Sequence, residues 1–384
     1  MPARTSRTAL ILTGGGARAA YQVGVLKAVR EILPEPRRNP FPILCGSSAG
    51  AINAASLAAW AEDFAAGVDH LDRVWSGFHA GDVYRADPLG VGLSGARWLS
   101  TLAFGWLVRR SPRSLLDNTP LRRLLERSLD LARIDRAIAH HALHSVSITC
   151  SGYASGQSVS FFQGRADLEP WRRSQRFGAH VKLTVDHLLA SSAIPFLFPA
   201  VKLHREWFGD GSMRQLAPIS PAIHLGADRI LVIGAGHMAA EKERPQSQGY
   251  PSLAQIAGHA LSSIFLDSLA VDLERMIRIN RTLSMIPPEV RNERGLALRP
   301  IEILVIAPSR RLDDLAAQHA GALPWPVRAL MRGIGAMNRN GGALTSYLLF
   351  EQAYTRALID LGHADTLARR DEVAAFLGLT SSSS

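Results

Sequence analysis

The stretch Phe41-Pro-Ile-Leu-Cys-Gly-Ser-Ser-Ala-Gly-Ala51 decides how this chain reads. Ile43 and Leu44 sit in an apolar run that predicts the end of a buried strand. Gly46-Ser47-Ser48-Ala49-Gly50 follows, a G-x-S-x-G. From Ala51 to Trp60 the chain is rich in Ala and free of Gly and Pro, which predicts a helix. Strand, tight turn and helix are the context of a nucleophile elbow. The central residue of such a turn is strained, and Gly46 and Gly50 remove the Cβ atoms that would collide beside it. The Ser48 hydroxyl then stands above the sheet edge, at the positive end of the following helix. A chain with 32 glycines also produces this pattern by chance, so the rest of the sequence has to decide.

Upstream, Thr8 to Thr13 predicts a first strand. Gly14-Gly15-Gly16-Ala17-Arg18 follows, then a helix from about Ala19 to Ile32, ended by Pro34 and Pro36. Gly14, Gly16 and Ala19 fit a dinucleotide-binding G-x-G-x-x-A. That fingerprint wants an acidic residue at the end of the second strand, where this chain has Cys45-Gly46-Ser47-Ser48. The competing reading is an oxyanion hole. Consecutive glycines at a helix start leave backbone N–H groups bare, aided by the helix dipole. Each such donor contributes about 3–4 kcal/mol to a transition state. Both turns fall at the carboxyl ends of strands, where open α/β sheets place ligands.

Composition narrows the partners. The chain has 384 residues, 47% hydrophobic and 20% charged, with a formal net charge of +10. It is long enough for a large core. The positive charge is almost all arginine, without a dense basic run or a nucleic-acid motif, so an anionic membrane fits better than nucleic acid. Cys45 and Cys150, the two cysteines, lie in apolar runs and read as buried free thiols of a reducing compartment. No Cys/His spacing suits a metal. Ala9-Leu10-Ile11-Leu12 is too short for a signal-peptide core and is cut off by glycines. No run of 18 apolar residues suggests a membrane span. The expected place is cytoplasmic, peripheral to a membrane.

Further along, the pattern turns helical and loop-like from about 63 to 133. Arg97 to Arg110 is aromatic and apolar with flanking arginines; lid, interfacial segment and core helix all remain open. Thr119 and Pro120 start a helix. Ser145 to Cys150 and Ser158 to Phe162 predict a hairpin. Thr184 to Ser192 predicts a helix, followed by Ile194-Pro195-Phe196-Leu197-Phe198-Pro199, a rigid apolar segment in which Pro195, Phe196 and Phe198 suit an acyl pocket. Asp210 stands between Gly209 and Gly211, a setting that a plain turn also explains. Pro218 to Ala227 predicts a helix; Arg229 to Gly234 and Ile301 to Ala307 predict buried strands. Alternating strands and helices argue a mainly parallel sheet wrapped by helices. From about 311 to 384 the pattern is helical, with one helix over Leu344 to Leu361.

Taken together, Gly14-Gly15-Gly16-x-Arg18, Gly46-x-Ser48-x-Gly50, Ala190-Ser191-x-Ala193-x-Pro195-x-x-Phe198-x-Pro199 and Asp210-Gly211 resemble the motifs of the patatin-like phospholipase family, in its order, across Thr8 to Gly234. The resemblance implies a Ser–Asp dyad acyl hydrolase without catalytic histidine. Ser48 would be the nucleophile, Asp210 the base, and the glycine turn with Arg18 the oxyanion hole. Two positions depart from the family pattern: Ala19 replaces a further Gly of the turn, and Ser212 replaces the last Gly of Asp-Gly-Gly.

An ordinary Asp, with a pKa near ~3.9, is a weak base for a serine hydroxyl, and burial would strengthen it. A Ser–His–Asp triad is the alternative. Among 13 histidines, His187, His204, His224 and His237 lie near element ends and read as surface or structural residues; the chain order Ser–Asp–His would select His224 or His237. The expected fold is a three-layer α/β/α domain over 8–310, with a helical insertion at about 63–133 and a helical extension over 311–384. The expected function is ester hydrolysis in a phospholipid or lysophospholipid, without cofactor or metal. The alternatives are a soluble carboxylesterase or thioesterase, and a non-catalytic lipid-binding regulator.

Overall fold

The computed structural model describes residues 6–86, 114–236, 252–293, 298–333, 335–336 and 342–379. Ten strands form one sheet: β1 (Thr8–Leu12), β2 (Ile43–Ser47), β3 (Ser145–Gly152), β4 (Ser158–Gly164), β5 (Trp171–Arg173), β6 (Arg176–His180), β7 (Val201–Leu203), β8 (Glu206–Asp210), β9 (Arg229–Ile233) and β10 (Glu302–Ile306). The order is β10-β9-β1-β2-β3-β4-β6-β5, with β8 on β3 and β7 on β8. From β10 to β3 every pairing is parallel. Thr8–Leu12, between β2 and β9, is almost wholly buried, which is why it reads as a continuous apolar run rather than an alternation. β3 and β4 form the expected antiparallel hairpin.

Helices cover both faces. Leu10, Leu12 and Leu44 point into a large core with α1 (Ala20–Ile32), α2 (Ala49–Ala59) and α3 (Phe64–Ser76). Ala9, Ile11, Ile43 and Cys45 point the other way, onto Ile219, Ala222, Leu269 and Met276. This is the expected three-layer α/β/α architecture with a mostly parallel sheet.

Local chemistry moves several boundaries. The helix expected over Ala51 to Trp60 is α2, which stops at Ala59, and Asp63 starts a separate α3 by accepting the Ala66 N–H. The helix expected over 344–361 is two, Gly342–Leu348 and Gln352–Leu367. Glu351, between them, turns its carboxylate onto the Ala80 N–H and the His79 ring. The second of these helices crosses α1 at backbone contact. A Cβ on Gly24 would lie 1.9 Å from the Ile359 carbonyl oxygen, and one on Gly362 2.2 Å from that of Tyr21.

Leu253–Ser262, the π-helical turn Ser263–Asp267 and Ser268–Ser284 run on as one helix. The stretch Gln255–Ser284 is long and apolar enough to cross a membrane by length and composition, which a search for unbroken apolar runs misses. Phe265, Leu269, Met276 and Leu283 are buried in the domain. Arg97 to Arg110 lies outside the described residues.

Candidate active site

The elbow is built as a strained turn. Ser48 joins β2 to α2 with φ 54° and ψ −131°, a region that a residue with a Cβ rarely occupies. The flanking glycines are required by space: a Cβ on Gly46 would sit 2.4 Å from the Gly50 oxygen, and one on Gly50 2.2 Å from the Leu12 oxygen. The Ser48 N–H donates to Ser191 Oγ (2.9 Å), and the Ser191 hydroxyl donates to the Thr149 carbonyl (2.6 Å). Ser191 therefore braces the elbow. Its signal was present in the Ala190-Ser191 motif, but the motif did not say what the hydroxyl does.

Asp210 is the last residue of β8 rather than a turn residue. Its N–H donates to the Ala193 carbonyl, and its Oδ1 accepts the Ser212 N–H (2.9 Å). The residue is buried, and Oδ2 has no hydrogen-bond partner among the described residues. Burial pushes its pKa up to about 6, against the opposing pull of the Ser48 hydroxyl and of the Ser212 N–H and hydroxyl. Ser48 thus acts on the carboxylate without closing a hydrogen bond of ordinary geometry to Oδ2. The next position must be Gly, since a Cβ on Gly211 would lie 1.9 Å from the Thr149 oxygen.

Ser212, a departure from the family pattern, is part of this arrangement. Its N–H donates to Asp210 Oδ1, and its hydroxyl donates to Ser47 Oγ (3.3 Å) and lies 2.5 Å from where a Cβ on Gly14 would be. Elbow, carboxylate strand and glycine turn therefore meet at one side chain. Ala19, the other departure, is buried in the core and lies outside the apolar slot at Ser48.

Gly16–Ala19 forms a single 3-10 turn ahead of α1, with Gly16 at φ 54°. Among the described residues nothing accepts from the Gly14 or Gly15 N–H. Arg18, the other residue expected in the oxyanion hole, is tied into the turn. Its N–H closes the turn onto the Gly15 carbonyl. Its guanidinium is buried against Ser346 Oγ, the Asp313 carboxylate and the Ala343 carbonyl, and stacks 3.9 Å above the Tyr347 ring. Its Nε and Nη2 are spent on these contacts, which anchor the turn. A second buried chain holds the same turn from below: Trp75 Nε1 donates to Asn53 Oδ1, Asn53 Nδ2 to Gln22 Oε1, and Gln22 Nε2 to the Thr13 carbonyl. A lone Asn inside the Ala-rich α2 was the available sequence signal for it.

Ser48 and Gly16 border a narrow apolar slot. Ser48, Ile52 and Ser56 share one face of α2 at four-residue spacing, so the slot follows α2 for about 12 Å. Leu71 and Trp75 of α3, Leu121 and Leu125, and Phe350 complete its walls. Of the expected acyl-pocket residues, Phe198 is buried and lines it, with Ile194 from the same segment. Pro195 and Phe196 do not. Phe196 is 76% exposed at φ 65°, because the tight bend turns its ring outward.

The histidines fall elsewhere. His224 stacks on Trp171 (4.9 Å) on the sheet face opposite the slot, and burial, with Arg173 and Arg176, brings its pKa down to about 4. His187 accepts from the Thr184 N–H and is likewise brought down to about 4, mainly by burial. His204 forms the β7–β8 turn at φ 53°. His237 lies outside the described residues. His70 of α3 lines the slot, but its ring stacks on Trp60, just past the C-terminal end of α2 from the Ser48 elbow. Among the described residues no group of three His, Cys, Asp or Glu side chains could hold a metal ion.

Comparison with known proteins gives three likenesses. The patatin-like phospholipase family matches residues 10–223. A cGAMP-activated phospholipase from Pseudomonas aeruginosa is 27% identical over 210 residues, 54% of this chain and 53% of that protein, so the chain matches about half of that relative's length. The solved structure of VipD from Legionella pneumophila aligns over 93% of this chain and 67% of its own, at 14% identity and a TM-score of 0.33, too low to carry an argument.

Proposed function

Because the chain belongs to the patatin-like phospholipase family, we propose that it is a serine acyl hydrolase cleaving ester bonds of phospholipids or lysophospholipids. The observation that carries the reading is a strained Ser48, bordering an apolar slot, whose hydroxyl acts on the buried Asp210 carboxylate.

In this reading the Ser48 hydroxyl attacks the ester carbonyl carbon and its proton passes to Asp210 Oδ2. A carboxylate with a pKa of about 6 is a better base than an exposed one and still ionised at neutral pH. The charge that develops on the carbonyl oxygen is received by the Gly14–Gly16 backbone N–H groups. As the tetrahedral adduct collapses, the C–O bond to the alcohol breaks, and Asp210 returns the proton to the leaving oxygen. The acyl-serine is then cleaved by water, with Asp210 again taking the proton and restoring the Ser48 hydroxyl. The slot suits one acyl chain.

Buried, free Cys45 and Cys150 suit a reducing, cytoplasmic setting, and the +10 charge suits peripheral contact with an anionic lipid surface.

The test is hydrolysis of a medium-chain p-nitrophenyl ester and of a phospholipid micelle by wild type, Ser48→Ala and Asp210→Asn, each checked for folding. Active wild type with two inactive, folded variants is the expected result. Activity retained in Asp210→Asn would move the base elsewhere. Turnover that does not rise when lipid aggregates form would favour a soluble esterase, and an inert wild type a lipid-binding regulator.

A further inference from the structure

We propose that Phe265 and Tyr347, both beyond the family-matched stretch, are positioning residues that hold the Gly14–Gly16 backbone in register with Ser48 and Asp210. The proposal rests on the hydrolase reading above.

A run of three glycines has the greatest backbone freedom of any tripeptide, whereas oxyanion donors must stand within about 2.7–3.1 Å of the charge they receive. Something outside the turn must fix it. A Cβ on Gly14 would lie 2.6 Å from Phe265 Cε1 and 2.5 Å from Ser212 Oγ, so the Gly14 backbone is held between the Phe265 ring and the residue whose N–H donates to Asp210. A Cβ on Gly16 would lie 2.3 Å from the Tyr347 carbonyl oxygen. The two aromatic rings stack on one another at 5.1 Å, and the Tyr347 ring also carries the Arg18 guanidinium. Neither ring lines the slot; they support the turn from outside it.

The π-helical turn Ser263–Asp267 is what delivers Phe265. The extra residue in the turn shifts the helix register, and Phe265 comes out buried while Ser263 and Asp267 on either side remain exposed. Such bulges often sit at functional sites.

The experiment uses the full chain, a soluble p-nitrophenyl ester and the variants Phe265→Ala, Phe265→Leu, Tyr347→Ala and Tyr347→Phe, with thermal unfolding measured for each. Labelling by a fluorophosphonate, whose phosphoryl oxygen occupies the oxyanion position, is followed in parallel. The two alanine variants should lose about 100-fold in kcat and in labelling rate, the scale of a 1 Å misplacement, with KM changed less than about two-fold. Phe265→Leu and Tyr347→Phe should recover most of the rate. The midpoint of the pH profile should stay where wild type has it, since Asp210 is untouched. A folded Phe265→Ala with wild-type kcat, a change confined to KM, or a rate that follows thermal stability alone across all four variants would overturn the proposal. Should an alanine variant not fold, Phe265→Leu and Tyr347→Phe decide: a shared, total loss of activity in these folded proteins refutes it. Wild type inactive on every ester would refute the hydrolase reading, and this proposal with it. Active wild type with unaffected, folded alanine variants refutes this proposal alone.

Discussion

Ser47 and Asp210 pair with consecutive residues of one strand: Ser47 with Thr149 and Asp210 with Cys150. β4 occupies the opposite edge of β3, so parallel β2 and antiparallel β8 run toward each other along the same edge and meet there. Ser48 follows the end of one and Asp210 ends the other. Residues 162 positions apart are thus brought together by register.

This meeting predicts a single reactive serine. A fluorophosphonate should label wild type at Ser48 and leave Ser48→Ala unlabelled, with hydrolysis reduced by at least about three orders of magnitude in that variant. Peptide mapping of the labelled protein checks it. A label on Ser47 or Ser191 would contradict the assignment.

The base must be ionised to accept a proton. With the Asp210 pKa pushed up to about 6 by burial, kcat/KM on a soluble ester should fall as pH drops through about 6 and level off above about pH 7. A profile from pH 4.5 to 8.5 measures this. A midpoint near that of an ordinary carboxylate would show that Asp210 is not the titrating group.

Stability should respond in the opposite sense. Asp210 is raised from 3.8 to about 6 on folding, so the folded state binds its proton more tightly than the unfolded state. The penalty is absent below about pH 3.8, grows between the two values and is complete above about pH 6. It reaches up to about 3 kcal/mol. Asp210→Asn should therefore raise Tm at pH 8 and lose that advantage toward pH 4. Thermal melts at both pH values check it; an equal shift at both would contradict the linkage.

Acyl-chain length should be set by the α2 face of the slot. Ile52→Trp or Leu125→Trp should suppress long-chain esters and spare acetyl or butyryl esters, because both side chains line the slot beyond Ser48. Phe196→Ala should leave soluble-ester kinetics within about two-fold of wild type, as expected for an exposed surface side chain. Turnover across a p-nitrophenyl ester series reads both effects, and an unchanged chain-length preference in the Trp variants would place the acyl chain elsewhere.

The last helices should be inseparable from the site-bearing core. Gly24→Ala forces a Cβ to within 1.9 Å of the Ile359 carbonyl and should cost about 1–3 kcal/mol of stability, the scale of overpacking a close contact. Urea unfolding measures it. A loss under about 0.5 kcal/mol, typical of an exposed position, would mean that the helices part easily.

Sequence alone determined the elements that depend on neighbours along the chain. The apolar run of β1 and the Gly46–Gly50 elbow were legible because local sterics and burial leave few alternatives there. The β3–β4 hairpin was legible for the same reason. Motif order carried Ser48 and Asp210 as candidates. The tertiary structure decided what depends on residues far apart. It placed the Arg18 guanidinium against Ser346 and Asp313, turned Phe196 outward while Phe198 went in, and ended β8 on Asp210. It also brought Phe265 and Tyr347 onto the glycine turn. Register and inter-helix packing are set by contacts between distant segments, and no local pattern of residue types encodes which partner a buried face will meet.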